Sequence, residues 1–373
     1  MFKAEKSALS AALASIKASI NARNTIPILA NALFERSGED LVISGSNLDI
    51  QITATCSAGI AADFTAFTAP YALFETAVKS MTDGSITVEN VAAAGGRIDG
   101  IAIKSGRARI KMPILPAQDY PKMKTDKLNH GVGLGVSSLK QCFRAVEFAM
   151  STEETRYYLN GVFMHTHPEG LMFVATDGAR LARRLMPMVD IDEEKITGIP
   201  AVIIPSDTVK TVSRLLPDAG NVAVRLSDER IEFALSGLTI VSKLVEGTFP
   251  DYQRITPANN DKIIRLNGKL LAGAVGRVLT VSNTKGSGIR FTFADGAVRL
   301  VSKPGENGEA EDEMSAEVEG NLEIGFNGSF MLEVIDSLGS GDIEMKLGNP
   351  GDPAMIMRPG ETNSFAILMP MRI

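Results

Sequence analysis

Val136–Ser151 reads VSSLKQCFRAVEFAMS. Leu139, Phe143, Val146 and Met150 recur at helical spacing, so one face of a helix is apolar and the other carries charge. Similar amphipathic segments stand at Glu5–Ile20 (EKSALSAALASIKASI) and Asn267–Ser282 (NGKLLAGAVGRVLTVS). Each is followed by strand-like segments, such as Leu41–Ser44, Gly170–Thr176 and Ile289–Phe293. A second helix-like segment follows at Pro70–Met81, Ser206–Leu216 and Asn327–Leu338, with Ser206 and Asn327 suited to N-caps. An alternating strand comes next: Ser85–Asn90, Asn221–Ser227 and Asp342–Gly348. The first copy closes on Leu115–Pro121 (LPAQDYP) and the second on Gly247–Tyr252 (GTFPDY). Polar, proline-containing linkers follow at Pro121–Leu128 and Pro257–Lys262.

A repeat of this length is a duplicated domain, not a solenoid unit. The pattern predicts three α+β domains over 1–125, 126–257 and 258–373, each with two helices packed on antiparallel β-sheets. A chain of 373 residues suits two or three domains, and 45% hydrophobic with 22% charged residues is ordinary for a globular protein.

Cys56 and Cys142 lie far apart and form no CxxC, which fits a reducing cytoplasm. Lys3, Glu5, Lys6 and Lys17 interrupt the first segment, so it lacks the apolar core of a signal peptide. No apolar run is long enough to span a bilayer. The expectation is a cytoplasmic protein with no membrane partner. A net charge of −6 argues against simple coating of DNA. A DNA role would need basic residues gathered on one surface.

No nucleophile elbow, P-loop, dinucleotide fingerprint or HExxH is present, so we expect no catalytic residues, no cofactor and no metal. His165 and His167 alternate on one strand and read as an exposed face without enough ligands for a metal. The acidic stretches Asp190–Glu194 and Glu309–Glu313 read as solvated loops, and Asn327-Gly328-Ser329 as a turn. Lys140 with Arg144, and Lys210 with Arg214, are four apart, so each pair shares a helix face. Such like-charged pairs suit a phosphate-facing surface, or are an ordinary solvated face. The second helix of the third copy carries Glu333 and Asp336 instead of basic residues.

Arg156-Tyr157-Tyr158 is either a stacking platform or half-buried packing at a strand start. Asp177-Gly178 signals a hairpin turn. The apolar C-terminal stretch Ile367–Ile373 reads as a final edge strand stopped by Pro370, or as a Met-lined partner pocket. An enzyme built on Asp177, Arg180 and Arg254 would lack a nucleophile or positioned acid/base pair.

Taken in order, several stretches make the chain resemble the beta subunits of bacterial DNA polymerase III, the replication sliding clamps. They are Ile26-Pro27-Ile28-Leu29, Leu115-Pro116-Ala117 with Asp119-Tyr120-Pro121, Arg156–Gly161, Ala175–Gly178, Arg180–Ala182, Phe249–Tyr252 and Met369–Arg372. The resemblance covers the whole chain. It implies a non-catalytic processivity factor: a head-to-tail homodimeric ring around double-stranded DNA, bound without regard to sequence. The implied partners are the polymerase III alpha subunit, the clamp loader and other proteins bearing a clamp-binding peptide. The implied location is cytoplasmic, at the nucleoid during replication. A non-encircling peptide-binding scaffold is the alternative.

Carried over by the resemblance, the peptide pocket comprises Leu159, Thr176, Gly178, Arg180, Leu181, Pro250, Arg254, Ile255, Met369, Pro370, Met371 and Arg372, with Asn327 and Phe330 near a glutamine subsite. Phe330 stands where relatives frequently carry Tyr, and Ala179 where many carry His. The DNA set combines Arg23, Arg156, Tyr157 and Tyr158, from the resemblance, with the helix cations Lys140, Arg144, Lys210 and Arg214. For the subunit contact the resemblance implies Ile110, Thr280 and Val281. Charge adds Arg107, Arg109 and Lys111, expected with Lys104 on one strand, facing the acidic run Glu306–Glu319 of another subunit. In an isolated monomer those charges would go unused.

Overall fold

The structure is a computed structural model that describes residues 1–21, 25–92, 98–191, 198–281, 288–302, 308–318, 320–339 and 341–372. Among the described residues, six α-helices form where the sequence pattern places them: α1 Lys6–Ile16, α2 Tyr71–Ser80, α3 Val136–Val146, α4 Ser206–Leu215, α5 Gly268–Leu279 and α6 Gly328–Leu338. Each buries one stripe at three- and four-residue spacing, such as Leu9, Ala12, Leu13 and Ile16 on α1, or Leu139, Cys142, Phe143 and Val146 on α3. α1 and α3 end earlier than periodicity predicts and tighten into 3-10 turns at Lys17–Ser19 and Glu147–Ala149. In the first of these, the buried Ser19 hydroxyl donates to the Ile16 carbonyl at 2.7 Å.

Asn267 and Asn327 cap α5 and α6, accepting from the amides of Leu270 (3.1 Å) and Phe330 (3.2 Å). Asn327-Gly328 is therefore a helix start and not a free turn. A Cβ on Gly328 would lie 2.6 Å from Ile289 Cδ1 and 2.8 Å from Leu279 Cδ2, so a larger residue there would require these two side chains to shift. α4 begins on Ser206 itself, one residue earlier than a cap at that position.

The chain divides into two compact units, Met1–Leu134 with Arg214–Leu244, and Gly135–Ser213 with Val245–Ile373. The first holds a five-stranded and a nine-stranded antiparallel sheet. In the nine-stranded sheet, Ile50–Cys56 of the first copy pairs with Leu238–Lys243 of the second, Ile52 opposite Ile240. Ile28, Leu29, Leu33 and Tyr120 form one buried cluster in this unit, which joins two of the marker stretches physically.

The second unit repeats the device. Its nine-stranded sheet runs Val202–Pro205, Gly161–His167, Gly170–Thr176, Arg180–Pro187, Phe365–Leu368, Ala354–Met357, Asp342–Leu347, Lys262–Asn267 and Glu317–Val318. Phe365–Leu368 is thus an interior strand, paired on one side with Arg180–Arg183 and on the other with Ala354–Ile356. This corrects the edge-strand reading: the apolar tail is apolar because both of its sides and both of its faces are covered. A four-stranded sheet, Glu311–Ser315, Ala297–Ser302, Gly288–Ala294 and Leu322–Asn327, completes the unit. Glu311–Ser315 is therefore a strand where the acidic composition predicted a loop. Of the Asp190–Glu194 stretch, residues 192–194 lie outside the described residues, and Asp190 ends a short 3-10 turn.

Both cysteines are buried thiols, and burial pushes them up to about 11 for Cys56 and about 12 for Cys142. Among the described residues no helix is long and apolar enough to cross a membrane.

Candidate functional site

Asp177 organises the hairpin that connects Gly170–Thr176 to Arg180–Pro187. One carboxylate oxygen accepts from the amides of Ala179 (2.9 Å) and Arg180 (3.0 Å), and the other accepts from Arg180 Nε (3.0 Å). Thr176 adds a hydroxyl that donates to the Arg180 carbonyl at 2.7 Å and accepts from the Gly178 amide at 3.1 Å. The carboxylate is committed to shaping the turn. Gly178 sits at φ +91°, and a Cβ there would lie 2.8 Å from Arg156 Nη1. Gly178→Ala is expected to cost about 1–2 kcal/mol, read as faster hydrogen exchange across Thr176–Leu181.

Arg180 is 9% exposed. Its Nη1 donates to Glu333 Oε2 at 2.5 Å, and its guanidinium lies 4.1 Å from the Phe330 ring centroid and 5.3 Å from that of Phe148. Glu333 on α6, which weakened a uniformly basic helix pattern, is thus the counter-charge of a buried arginine from the preceding copy. Of these supports, Phe148 was not singled out by residue patterns, Glu333 was read only as an acid interrupting a basic helix pattern, and Asp177 was read as a turn residue. Only Asp177 had a local signal, the Asp-Gly turn; the other two arrive through long-range packing.

The sheet brings the C-terminal segment to this hairpin. Arg180 pairs with Leu368 and Leu181 with Ile367; beyond the strand, the Met369 amide donates to the Ala179 carbonyl at 2.9 Å. The Met371 amide donates to the Gly325 carbonyl at 2.8 Å. Leu159 and Leu181 are buried in one cluster with Phe249 and Tyr252. Asp251 caps the turn Tyr252–Ile255 and holds Arg254 Nε at 2.9 Å. Ile255, Met369 and Met371 are exposed, as are Pro250 and Arg254. Pro370, Met371 and Arg372 also line a cleft of about 650 Å³ with Glu323, Gly325 and Pro350. Asn327 reaches the group through its cap on Phe330.

Residues expected at DNA are less uniform. Arg23 lies outside the described residues. Arg144, Lys210 and Arg214 are exposed on α3 and α4, and Lys140 is partly covered. The half-buried Glu147 carboxyl is pushed up by burial, against the opposing pull of Lys210 and Arg144. Arg156 is held by both oxygens of Glu153, at 2.8 and 2.6 Å. Tyr157 is exposed, whereas Tyr158 is half-buried against the apolar cluster. They stand on a 3-10 segment, Glu154–Leu159, ahead of the strand and not at its start. Short i,i+3 pairing and the kink at Arg156 displace the strand to Gly161.

The subunit-contact set is also corrected. Lys104 and Arg109 face each other across a hairpin, and Arg107 occupies its turn, so the four cations do not share one strand. Gly106, at φ +55°, makes that reversal possible. Nor are the charges idle within one chain. Lys104 pairs with Glu89, Arg277 with Asp312 at 2.6 Å, and Arg299 with Glu311. Ile110 is partly covered on Ala108–Pro113. Thr280 ends α5, its hydroxyl donating to the Arg277 carbonyl at 2.7 Å, with Val281 next to it; residues 306, 307 and 319 of the acidic run lie outside the described residues.

His165 is half-buried, not exposed. Its Nε2 meets the Tyr252 hydroxyl at 2.9 Å and its Nδ1 meets the Thr166 carbonyl at 2.7 Å, with Phe163 beside the ring. Burial holds its pKa below the ordinary histidine value, so the folded state prefers neutral imidazole. The unfolded chain binds the proton more readily, so His165 removes stability as pH falls from its ordinary titration range through the lower folded value. His165→Gln is expected to flatten the acid limb of the unfolding midpoint below about pH 6.5. An unchanged acid limb would refute this. Among the described residues no three His, Cys, Asp or Glu side chains group as a metal site.

Comparison with known proteins places these features in a family. Profiles of the DNA polymerase III beta subunit match in sequence: its N-terminal domain over residues 1–124, its central domain over 134–251 and its C-terminal domain over 253–372. The beta sliding clamp of Caulobacter vibrioides is 34% identical over 375 residues, covering 99% of each chain. That of Escherichia coli K12 is 29% identical over 376 residues, covering all of both. The crystal structure of the sliding clamp from Bartonella birtlesii bound to griselimycin superposes with a TM-score of 0.90 at 33% identity, over 100% of both chains. The repeated helix-on-sheet architecture, the matched profiles and the full-length likeness agree, and the chain belongs to the DNA polymerase III beta subunit family, the sliding clamps.

Proposed function

We propose that two copies of this chain close head to tail into a ring around double-stranded DNA, which tethers the replicative polymerase and other replication proteins. The observation that carries this is the repeated copy joined by shared sheets: Ile50–Cys56 with Leu238–Lys243, and Arg180–Pro187 with Phe365–Leu368. The same joint would recur between subunits. Among the described residues, Ala108–Pro113 ends the five-stranded sheet and Glu311–Ser315 ends the four-stranded one, so each offers an unpaired edge. Arg109 and Lys111 on the first and Glu311 and Glu313 on the second are opposite in charge and exposed. Ile110, Thr280 and Val281 would add apolar contact around Arg107. The domains would be those read from sequence, 1–125, 126–257 and 258–373.

In this reading Lys140, Arg144, Lys210, Arg214, Arg156, Tyr157, Tyr158 and Arg23 meet the DNA backbone. Contacts are made to phosphate, so they position without reading sequence and weaken with salt. Retention comes from linkage around the duplex, which salt does not screen. The pocket from Leu159 to Arg372 takes a short peptide with glutamine and leucine or phenylalanine anchors, as borne by the polymerase alpha subunit and the clamp loader. The chain supplies no catalytic site of its own and works in the cytoplasm, at the nucleoid.

The test places labelled protein on a nicked circular plasmid with a clamp loader, then raises salt before and after the plasmid is linearised. Retention that resists salt and vanishes on linearisation is the expected result. Equal loss from both forms, with loading verified at low salt, makes the protein a non-encircling scaffold.

A further inference from the structure

A second cavity, of about 250 Å³, opens in the unit formed by Gly135–Ser213 and Val245–Ile373. Three arginines from separate parts of the chain line it: Arg144 on α3, Arg184 on the strand Arg180–Pro187, and Arg358. Arg183 lines it too, but its side chain alternates to the other face of the strand, where the guanidinium lies 4.6 Å from the Phe365 centroid. Two carboxylates, Asp336 and Glu361, share the lining, so the cations outnumber them.

These cations are incompletely used. Arg144 makes no hydrogen bond or ion pair among the described residues. Arg184 approaches Glu361 only to 3.9 Å, beyond hydrogen-bonding distance. Arg358 spends Nε on the Leu338 carbonyl at the end of α6, at 2.6 Å. Ser364 is 5% exposed and lines the same cavity, yet its hydroxyl has no hydrogen-bond partner among the described residues. Guanidinium forks and a hydroxyl donor together match a tetrahedral oxyanion. The volume has room for one with attendant water.

We propose that this cavity is a phosphate-binding site, in which Arg144, Arg184, Arg358 and Ser364 hold the anion and Glu361 competes with it for Arg184. The phosphate comes either free in solution or as part of a DNA backbone. Because Arg144 also belongs to the proposed DNA-facing set, the DNA source rests on that reading, whereas binding of free phosphate does not; the plasmid-retention experiment decides the ring separately.

The experiment titrates the full-length chain with inorganic phosphate by calorimetry, and in parallel with duplex DNA across a salt series. Saturable phosphate binding is expected. Arg184→Gln and Ser364→Ala should each weaken it about tenfold. Glu361→Gln should tighten it about fivefold, because a nearby negative charge is gone. A damaged fold does not tighten binding, so the last variant separates a site from general disruption. If free phosphate does not bind but Arg184→Gln weakens and Glu361→Gln strengthens duplex affinity, the phosphate is that of DNA and the proposal stands. If phosphate binding is absent or indifferent to all three variants, and duplex affinity is equally indifferent, the proposal is overturned.

Discussion

Arg180→Ala is expected to lower local stability around the Thr176–Leu181 hairpin by about 3 kcal/mol. The replaced side chain is 9% exposed and takes with it the bonds to Asp177 and Glu333 and the stacking on Phe330. Removing one member of a buried pair leaves the other member's charge uncompensated. Here that penalty is at the lower end of the usual range, because the Glu333 side chain is 47% exposed and regains water. The partner variant distinguishes the causes. Glu333→Gln should cost only about 1 kcal/mol, since an exposed carboxylate contributes little to a pair and Asp177 and Phe330 remain in place. Hydrogen exchange at the hairpin amides reads both variants, and suits a chain of several domains better than one global unfolding midpoint. Amides of Thr176–Leu181 that exchange no faster in Arg180→Ala would show that the turn holds itself together through Asp177 alone.

Ending the chain after Leu368 is expected to weaken binding of a glutamine- and leucine-anchored peptide by about 30-fold or more, while the second unit stays folded. Phe365–Leu368 retains both of its strand neighbours in the shortened chain. What is lost is the pair of backbone clips, Met369 to Ala179 and Met371 to Gly325, and the exposed methionine side chains they position. Thioether side chains adapt to several apolar shapes at little cost, so their loss should affect many partner peptides together. Fluorescence anisotropy with a labelled peptide measures the change. An undiminished affinity would move the peptide site off the C-terminal segment and onto the hairpin and Tyr252–Ile255 alone.

The helices were legible because each carries its apolar stripe locally, as Leu139, Phe143 and Val146 do on α3. The Asp177 turn was legible because its hydrogen bonds close within three residues. Reading failed where partners are distant. Nothing near Ile367 announces that Arg180–Pro187 lies beside it, so an interior strand looked like an edge. The hairpin at Gly106-Arg107 was missed because alternation on both arms read as one strand. The use of Glu333 by Arg180, 153 residues away, has no local signature at all. Pairings of that kind are decided by which sheets meet, and a single sequence does not state it.

The interior position of Phe365–Leu368 also sets a timetable for biosynthesis. The flanking strand Arg180–Pro187 leaves the ribosome far earlier, and at ordinary translation rates it waits on the order of ten seconds for its neighbour. During that interval one side of a hydrophobic sheet stands unpaired, and another nascent chain offers the same strand. Chaperone demand should therefore peak midway through translation, and slowing elongation between the two strands should raise co-aggregation of polysomes more than slowing it anywhere before Arg180.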